Sequence, residues 1–216
     1  MTAAQGRDDS KAMNEGGLHA LLHDLAAIQS RLLHIDVLPG AAGLLDEAAA
    51  ACAATAERLR DLRYRVEPVP PRIASWPLAA IVDAACAASA DLVQACGARV
   101  SIDLKPDLHV LADGPQIQRV LRTLIAEAAQ SPAKLLTLTA TPAGLGFVKI
   151  GVFGADGEPQ ARTREALLEP DLTSGPGLAL SVCRAIVEAH GGQIWIEDEH
   201  GSEGRFSFLL QIAEPA

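Results

Sequence analysis

Residues 175–197 read Gly175-Pro176-Gly177-Leu178-Ala179-Leu180-Ser181-Val182-Cys183-Arg184-Ala185-Ile186-Val187-Glu188-Ala189-His190-Gly191-Gly192-Gln193-Ile194-Trp195-Ile196-Glu197. Two glycines one residue apart precede an apolar run of helical spacing, Leu178 to His190, and Gly191-Gly192 stops it. Gln193 to Glu197 then alternates as a strand. A Gly-x-Gly turn that opens a helix presents backbone N–H groups without intrahelical partners at the positive end of the dipole, and such groups cradle phosphate. The same glycines also suit a strand–turn–helix joint in which they satisfy backbone geometry alone.

Upstream, element types alternate. Leu78 to Gly97 reads as a helix, Arg99 to Leu104 as a strand, and His109 to Ala112 as a short strand ended by Asp113-Gly114. Gln116 to Gln130 is an amphipathic helix. Lys134 to Thr141 and Gly146 to Phe153 pair as strands around Pro142-Ala143-Gly144, and Arg205 to Ile212 is a last strand. Helices and strands mixed without regular βαβ order predict an α+β fold, a mainly antiparallel sheet covered by helices.

The first third differs. Residues 1–15 are polar and predict a disordered N-terminus. Leu18, Leu21, Leu25, Ile28, Leu32 and Ile35 repeat at 3, 4, 3, 4, 3 until Leu38-Pro39-Gly40 breaks the helix. Ala42 to Tyr64 follows, with Leu45, Cys52, Leu59 and Val66 seven apart and Ala48, Thr55 and Leu62 interleaved. Two such helices make an antiparallel hairpin over 16–66. One hairpin buries too little apolar surface alone, so its seams predict a homodimer with a four-helix bundle. Prolines 68, 70 and 71 mark a linker, set at 67–76, before a second domain at 77–216.

Composition narrows the function classes. The formal net charge is -9, which excludes nucleic acid as a main partner. Aromatics are 3%, so Ala, Leu, Val and Ile must build the core. No apolar run is read as long enough to cross a bilayer, and Met1 to Gly17 lacks the plan of a signal peptide, so no membrane partner and a cytoplasmic location are expected. Cys52, Cys86, Cys96 and Cys183 form no Cys-x-x-Cys pair and read as reduced core residues; neither Cys nor His falls at zinc spacing.

The run from Gly175 through Glu188-Ala189-His190-Gly191-Gly192 to Trp195 closely resembles the second glycine box of sensor histidine kinases and the helix and strand after it. Ala112-Asp113-Gly114-Pro115-Gln116-Ile117-Gln118-Arg119-Val120-Leu121 resembles that family's entry into its Asn-bearing helix, and Glu169-Pro170 the motif before its nucleotide lid. The resemblance covers about Pro77 to Ile212. It implies the ATP-binding α/β sandwich shared with gyrase-type ATPases, with ATP and Mg²⁺ as cofactors and Gly175, Gly177 and Leu178 at the phosphates.

Three positions depart from the family pattern. Glu127 stands where the family's Mg²⁺-holding Asn belongs; it is an oxygen ligand, but it adds negative charge beside a triphosphate. Gly154 stands where the first glycine box has its adenine-binding Asp, with Asp156 and Glu158 at the glycine positions; Asp156 and Gly157 serve only if the register shifts by two. The span Glu158 to Ser174 is short for a lid and offers only Arg162 and Arg164 to phosphates. Together these predict a degenerate ATP site, with binding weak or absent.

The resemblance also gives the hairpin a role, dimerisation and phosphotransfer, with a phosphoacceptor His on its first helix. His19 and His23 are the candidates. His19 keeps Leu21, Leu25 and Ile28 on the seam at the family's offsets but lacks the acidic neighbour. His23-Asp24 restores a carboxylate that can orient the ring and take its proton, but Gln29 then falls on the seam. Both can equally be exposed residues with no role. His34, His109, His190 and His200 fit no catalytic role; His190 matches a structural family position.

The sequence reading is therefore a two-component signal transduction protein. A His on the bundle takes a phosphoryl group from one response-regulator receiver Asp and passes it to another, as a phosphorelay histidine phosphotransferase built on a kinase scaffold. The alternatives are an active soluble histidine kinase using ATP, and a pseudokinase that binds a regulator without catalysis. Expected partners are a second copy, a response-regulator receiver domain and an upstream sensor or kinase, unless the chain is part of a larger sensor.

Overall fold

The computed structural model describes residues 25–28, 30, 42–105, 107–130, 135–154, 175–199 and 202–213. The chain divides into two units, Met1–Pro68 and Val69–Ala216.

In the first unit, helix α1 spans Ala42–Val66. Ala49, Ala56 and Tyr64 are buried, and Leu45, Cys52 and Leu59 half-buried. The buried small residues thus fall at Ala49 and Ala56, one position on from Ala48 and Thr55. Thr55 is exposed and its Oγ1 donates back to the Ala51 carbonyl at 2.8 Å, a bond that serves an outward-facing Thr in a helix. Arg63 and Arg65 in the last turn complement the negative end of the dipole. Leu62 and Val66 are exposed, 42% and 61%. Residues 25–28 and 30 are helical. The rest of the first seam, with His19, His23 and Asp24, lies outside the described residues, as do residues 1–15.

The second unit runs β1 (Ala74–Pro77), α2 (Leu78–Ala95), β2 (Arg99–Asp103), β3 (His109–Ala112), α3 (Gly114–Ala129), β4 (Leu135–Gly144), β5 (Phe147–Gly154), α4 (Gly175–Ala189), β6 (Ile194–Glu199) and β7 (Ser202–Gln211). Five strands form one sheet in the order β2-β4-β5-β7-β6. Only the β2–β4 pair is parallel; the other three are antiparallel, so the sheet is mixed but mostly antiparallel. Alternation puts Leu136 and Leu138, then Val148, Ile150 and Val152, then Phe206, Phe208 and Leu210 on one buried face. Helices α2, α3 and α4 pack beside that sheet and close an α/β sandwich. α3 contributes Ile117, Val120, Leu121, Leu124 and Ile125, all fully buried. Leu, Val and Ile fill most of this core, as the scarcity of aromatics requires.

Two expectations are corrected. Residues 74–76, assigned to the linker, belong to strand β1, which pairs antiparallel with β3 from Ala74↔Ala112 to Pro77↔His109. All four β1 residues are exposed, so backbone pairing and not burial makes this strand. Second, an apolar run does reach span length: α2 is 18 residues long with a mean hydropathy of 1.5. Its Leu78, Ile81, Val82, Ala85, Ser89 and Val93 are buried, and it packs on α3 while exposing Asp83 and Asp91, so it is a core helix of this unit. α2 ends in a Schellman motif: Gly97 takes φ +67°, its N–H donates to the Gln94 carbonyl, and Ala98 N–H donates to Val93.

Candidate nucleotide-type site on helices α3 and α4

Helix α4 begins at Gly175, so the glycine pair forms its first turn instead of a turn ahead of it. Pro176 is at home there, because first-turn N–H groups have no intrahelical partner to lose. Gly177 and Leu178 are buried. Ser181 is buried too, and its Oγ donates to the Leu178 carbonyl at 2.7 Å. The far end of α4 is closed by Gly191 at φ +71°; its N–H donates to Glu188, and Gly192 N–H donates to Val187. Gly192 lies against β7 so closely that a Cβ there would overlap the Leu209 carbonyl oxygen.

His190, one residue past the helix, is buried. Its Nε2 accepts the Asp113 backbone N–H at 3.0 Å, and its Nδ1 lies 2.7 Å from the Ile186 carbonyl. A carbonyl can only accept, so Nδ1 carries the hydrogen and the ring is held in one neutral tautomer. Asp113 is the N-cap of α3: Oδ1 accepts from Gln116 N–H at 3.1 Å, with Pro115 in the first turn. Asp-Gly-Pro before a periodic apolar run carries that cap in the sequence, at the strand end and helix entry expected there. Residue His109 on β3 is exposed, and its Nδ1 meets the Asp107 carbonyl at 3.3 Å.

Glu127 sits in the last turn of α3, half-buried. Burial pushes its carboxyl above the ordinary 4.5. Among the described residues no cation or hydrogen-bond donor meets that carboxyl. Helices α3 and α4, which carry Glu127 and the glycine pair, pack on one another. Gly154, buried, is the last residue of β5. Asp156, Gly157, Arg162, Arg164 and Glu169-Pro170 lie outside the described residues. Among the described residues no group of three or more His, Cys, Asp or Glu gathers as a metal site. Cys52, Cys86, Cys96 and Cys183 are in no disulfide, and Cys183 is buried.

Residues 112–214 match the family model of histidine kinase-, DNA gyrase B- and HSP90-like ATPases. The sensor protein FixL of Bradyrhizobium diazoefficiens is 37% identical over 123 residues, which are 54% of this chain and 24% of that protein. The adaptive-response sensory kinase SasA of Prochlorococcus marinus is 31% identical over 127 residues, 54% of this chain and 33% of that one. The chain thus spans a quarter to a third of the length of these relatives. Full-length ShkA, solved with AMPPNP, superposes with a TM-score of 0.72 at 19% identity, over 93% of this chain and 46% of that one. Its identity is too low to carry more than the fold. A mixed sheet under three helices, a helix opened by Gly175-Pro176-Gly177 and these matches identify residues 112–214 as a histidine kinase-, DNA gyrase B- and HSP90-like ATPase domain, similar to the catalytic core of sensor histidine kinases.

Proposed function

We propose that this protein is a histidine phosphotransferase on a kinase scaffold, moving a phosphoryl group between a helix-borne His and response-regulator Asp residues. The observation that supports this reading is Glu127: a desolvated carboxyl, without a cation or donor among the described residues, at the position where the resemblance puts the family's Mg²⁺-holding Asn. The first turn of α4 suits phosphate. Glu127 does not suit the group as a whole, because a triphosphate brought beside it would meet like charge at reduced dielectric. Gly154 offers no side chain to accept from an adenine amino group. The residues present therefore do not fit ATP with Mg²⁺ on this domain.

In this reading His19 or His23 supplies the nucleophilic imidazole, and Asp24 orients the ring if His23 is used. The receiver brings its own Mg²⁺ and in-line geometry. The hairpin over 16–66 pairs with a second copy, and the exposed Leu62 and Val66 of α1 support such a partner. The proposed location is cytoplasmic.

A second reading, an active soluble kinase, is favoured by the glycine-opened start of α4 and by the 37% identity to FixL. Calorimetry of the full chain with Mg-ATP separates the two. No binding at millimolar ATP upholds the phosphotransferase, and micromolar binding overturns it in favour of the kinase. Transfer from a phosphorylated receiver, abolished in the His19→Gln, His23→Gln double variant, then distinguishes phosphotransfer from a non-catalytic pseudokinase that only binds the regulator.

A further inference from the structure

The segment Val69–Pro77 enters the second unit almost wholly exposed. Val69, Ile73 and Trp76 are 56%, 48% and 38% exposed, so apolar burial holds them only weakly. The ties on residues 69–73 are polar and come from the start of α3. Asp113 Oδ2 accepts the Arg72 backbone N–H at 2.9 Å. Gln116 Nε2 donates to the Val69 carbonyl at 3.2 Å. The Trp76 ring lies over Gly114, so closely that a Cβ there would sit 2.8 Å from it. Asp113 is itself fixed, because Oδ1 caps α3 and its N–H donates to His190.

We propose that residues 69–73 form a releasable strap, latched onto the second unit by Asp113 and Gln116. Two side-chain-to-backbone bonds at an exposed surface are individually weak and are lost together without disturbing the core. β1 stays paired with β3 after release, since its ladder is separate from both bonds. Latched, the strap is anchored at Val69, only three residues after α1 ends at Val66. Released, it adds five residues of free chain, a reach of about 17 Å when extended. The latch therefore sets the length of free chain between α1 and β1. It does so whether or not the domain binds ATP.

Asp113→Asn tests this in the full chain. Asn caps a helix as well as Asp does, so α3 keeps its start. Its side-chain nitrogen cannot accept from Arg72 if its oxygen remains on Gln116. Amide exchange at Arg72 is expected to rise about tenfold, the loss of one hydrogen bond, and trypsin cleavage after Arg72 to accelerate while the Gln116 amide stays protected. Unchanged exchange at Arg72 overturns the latch. Should Gln116 lose protection as well, Gln116→Ala decides, because it removes the Val69 tie and leaves Asp113 in place: faster cleavage after Arg72 upholds the strap, and unchanged cleavage overturns it.

Discussion

The backbone N–H of Asp113 donates to Nε2 of His190 across 3.0 Å, joining the start of α3 to the end of α4. These residues are 77 apart in sequence. The bond makes His190 a structural acceptor, in line with the role its position implied. Replacing it by Leu keeps much of the volume but orphans a part-buried N–H. We predict a loss of about 1–3 kcal/mol in urea unfolding of His190→Leu, with no change in m-value. A neutral outcome would show that the imidazole bond is dispensable.

The two glycines after His190 do different jobs, and their alanine variants should rank accordingly. Gly191 has φ +71° and open space around it, so Gly191→Ala meets only backbone strain, about 1–2 kcal/mol. Gly192 faces the Leu209 carbonyl oxygen and Val187, neither of which is a free side-chain end. Gly192→Ala must shift α4 against β7. It should cost more than its neighbour, roughly 2–4 kcal/mol, as overpacking against backbone does. Equal melting temperatures for the two variants would contradict this ranking.

Cys86 on α2 is half-buried, and its thiol is pushed above 9.0, first by burial and second by the Asp83 carboxylate three residues away. The thiolate is the reactive form. Iodoacetamide at pH 8 should therefore label Cys86 more slowly than a free cysteine. Asp83→Asn should speed labelling less than about tenfold, since burial is the larger cause. Mass spectrometry of the Cys86 peptide reads both.

Much of the second unit was legible because its elements carry strong period. Leu136 and Leu138 alternate, and Ile117, Val120, Leu121, Leu124 and Ile125 recur at helical spacing, so both elements follow from pattern alone. Strand β1 was not legible. Its residues are all exposed, it follows Pro70-Pro71, and only pairing with β3 makes it a strand. The start of α4 was placed three residues late, because glycine and proline argue against helix everywhere except in a first turn. At the site, Glu127 and Gly175 were found by position within a resemblance. The desolvation of Glu127 was not, because it depends on what packs around α3. The strap was hidden for a similar reason: an Asp 41 residues away decides whether a proline-rich segment is free or docked.

Glu127 provides the prediction that bears most directly on function. Its folded-state carboxyl is raised by burial, so at a pH between the ordinary 4.5 and the folded value the native chain binds more protons than the unfolded one. Stability is then full below 4.5 and declines as pH rises through the folded value. Glu127→Gln has no such decline. The variant should match wild type near pH 4 and exceed it increasingly toward pH 7 in urea unfolding. The same lost charge should also remove the repulsion that a polyphosphate would meet at the glycine end of α4. Glu127→Asn, which restores the family residue, should raise Mg-ATP affinity by about tenfold or more, the effect of removing one like charge from the neighbourhood of a polyphosphate. Tighter Mg-ATP binding in the variant would mark Glu127 as the residue that disables the site. A weaker one would make the carboxylate a Mg²⁺ ligand, and the kinase reading would then stand.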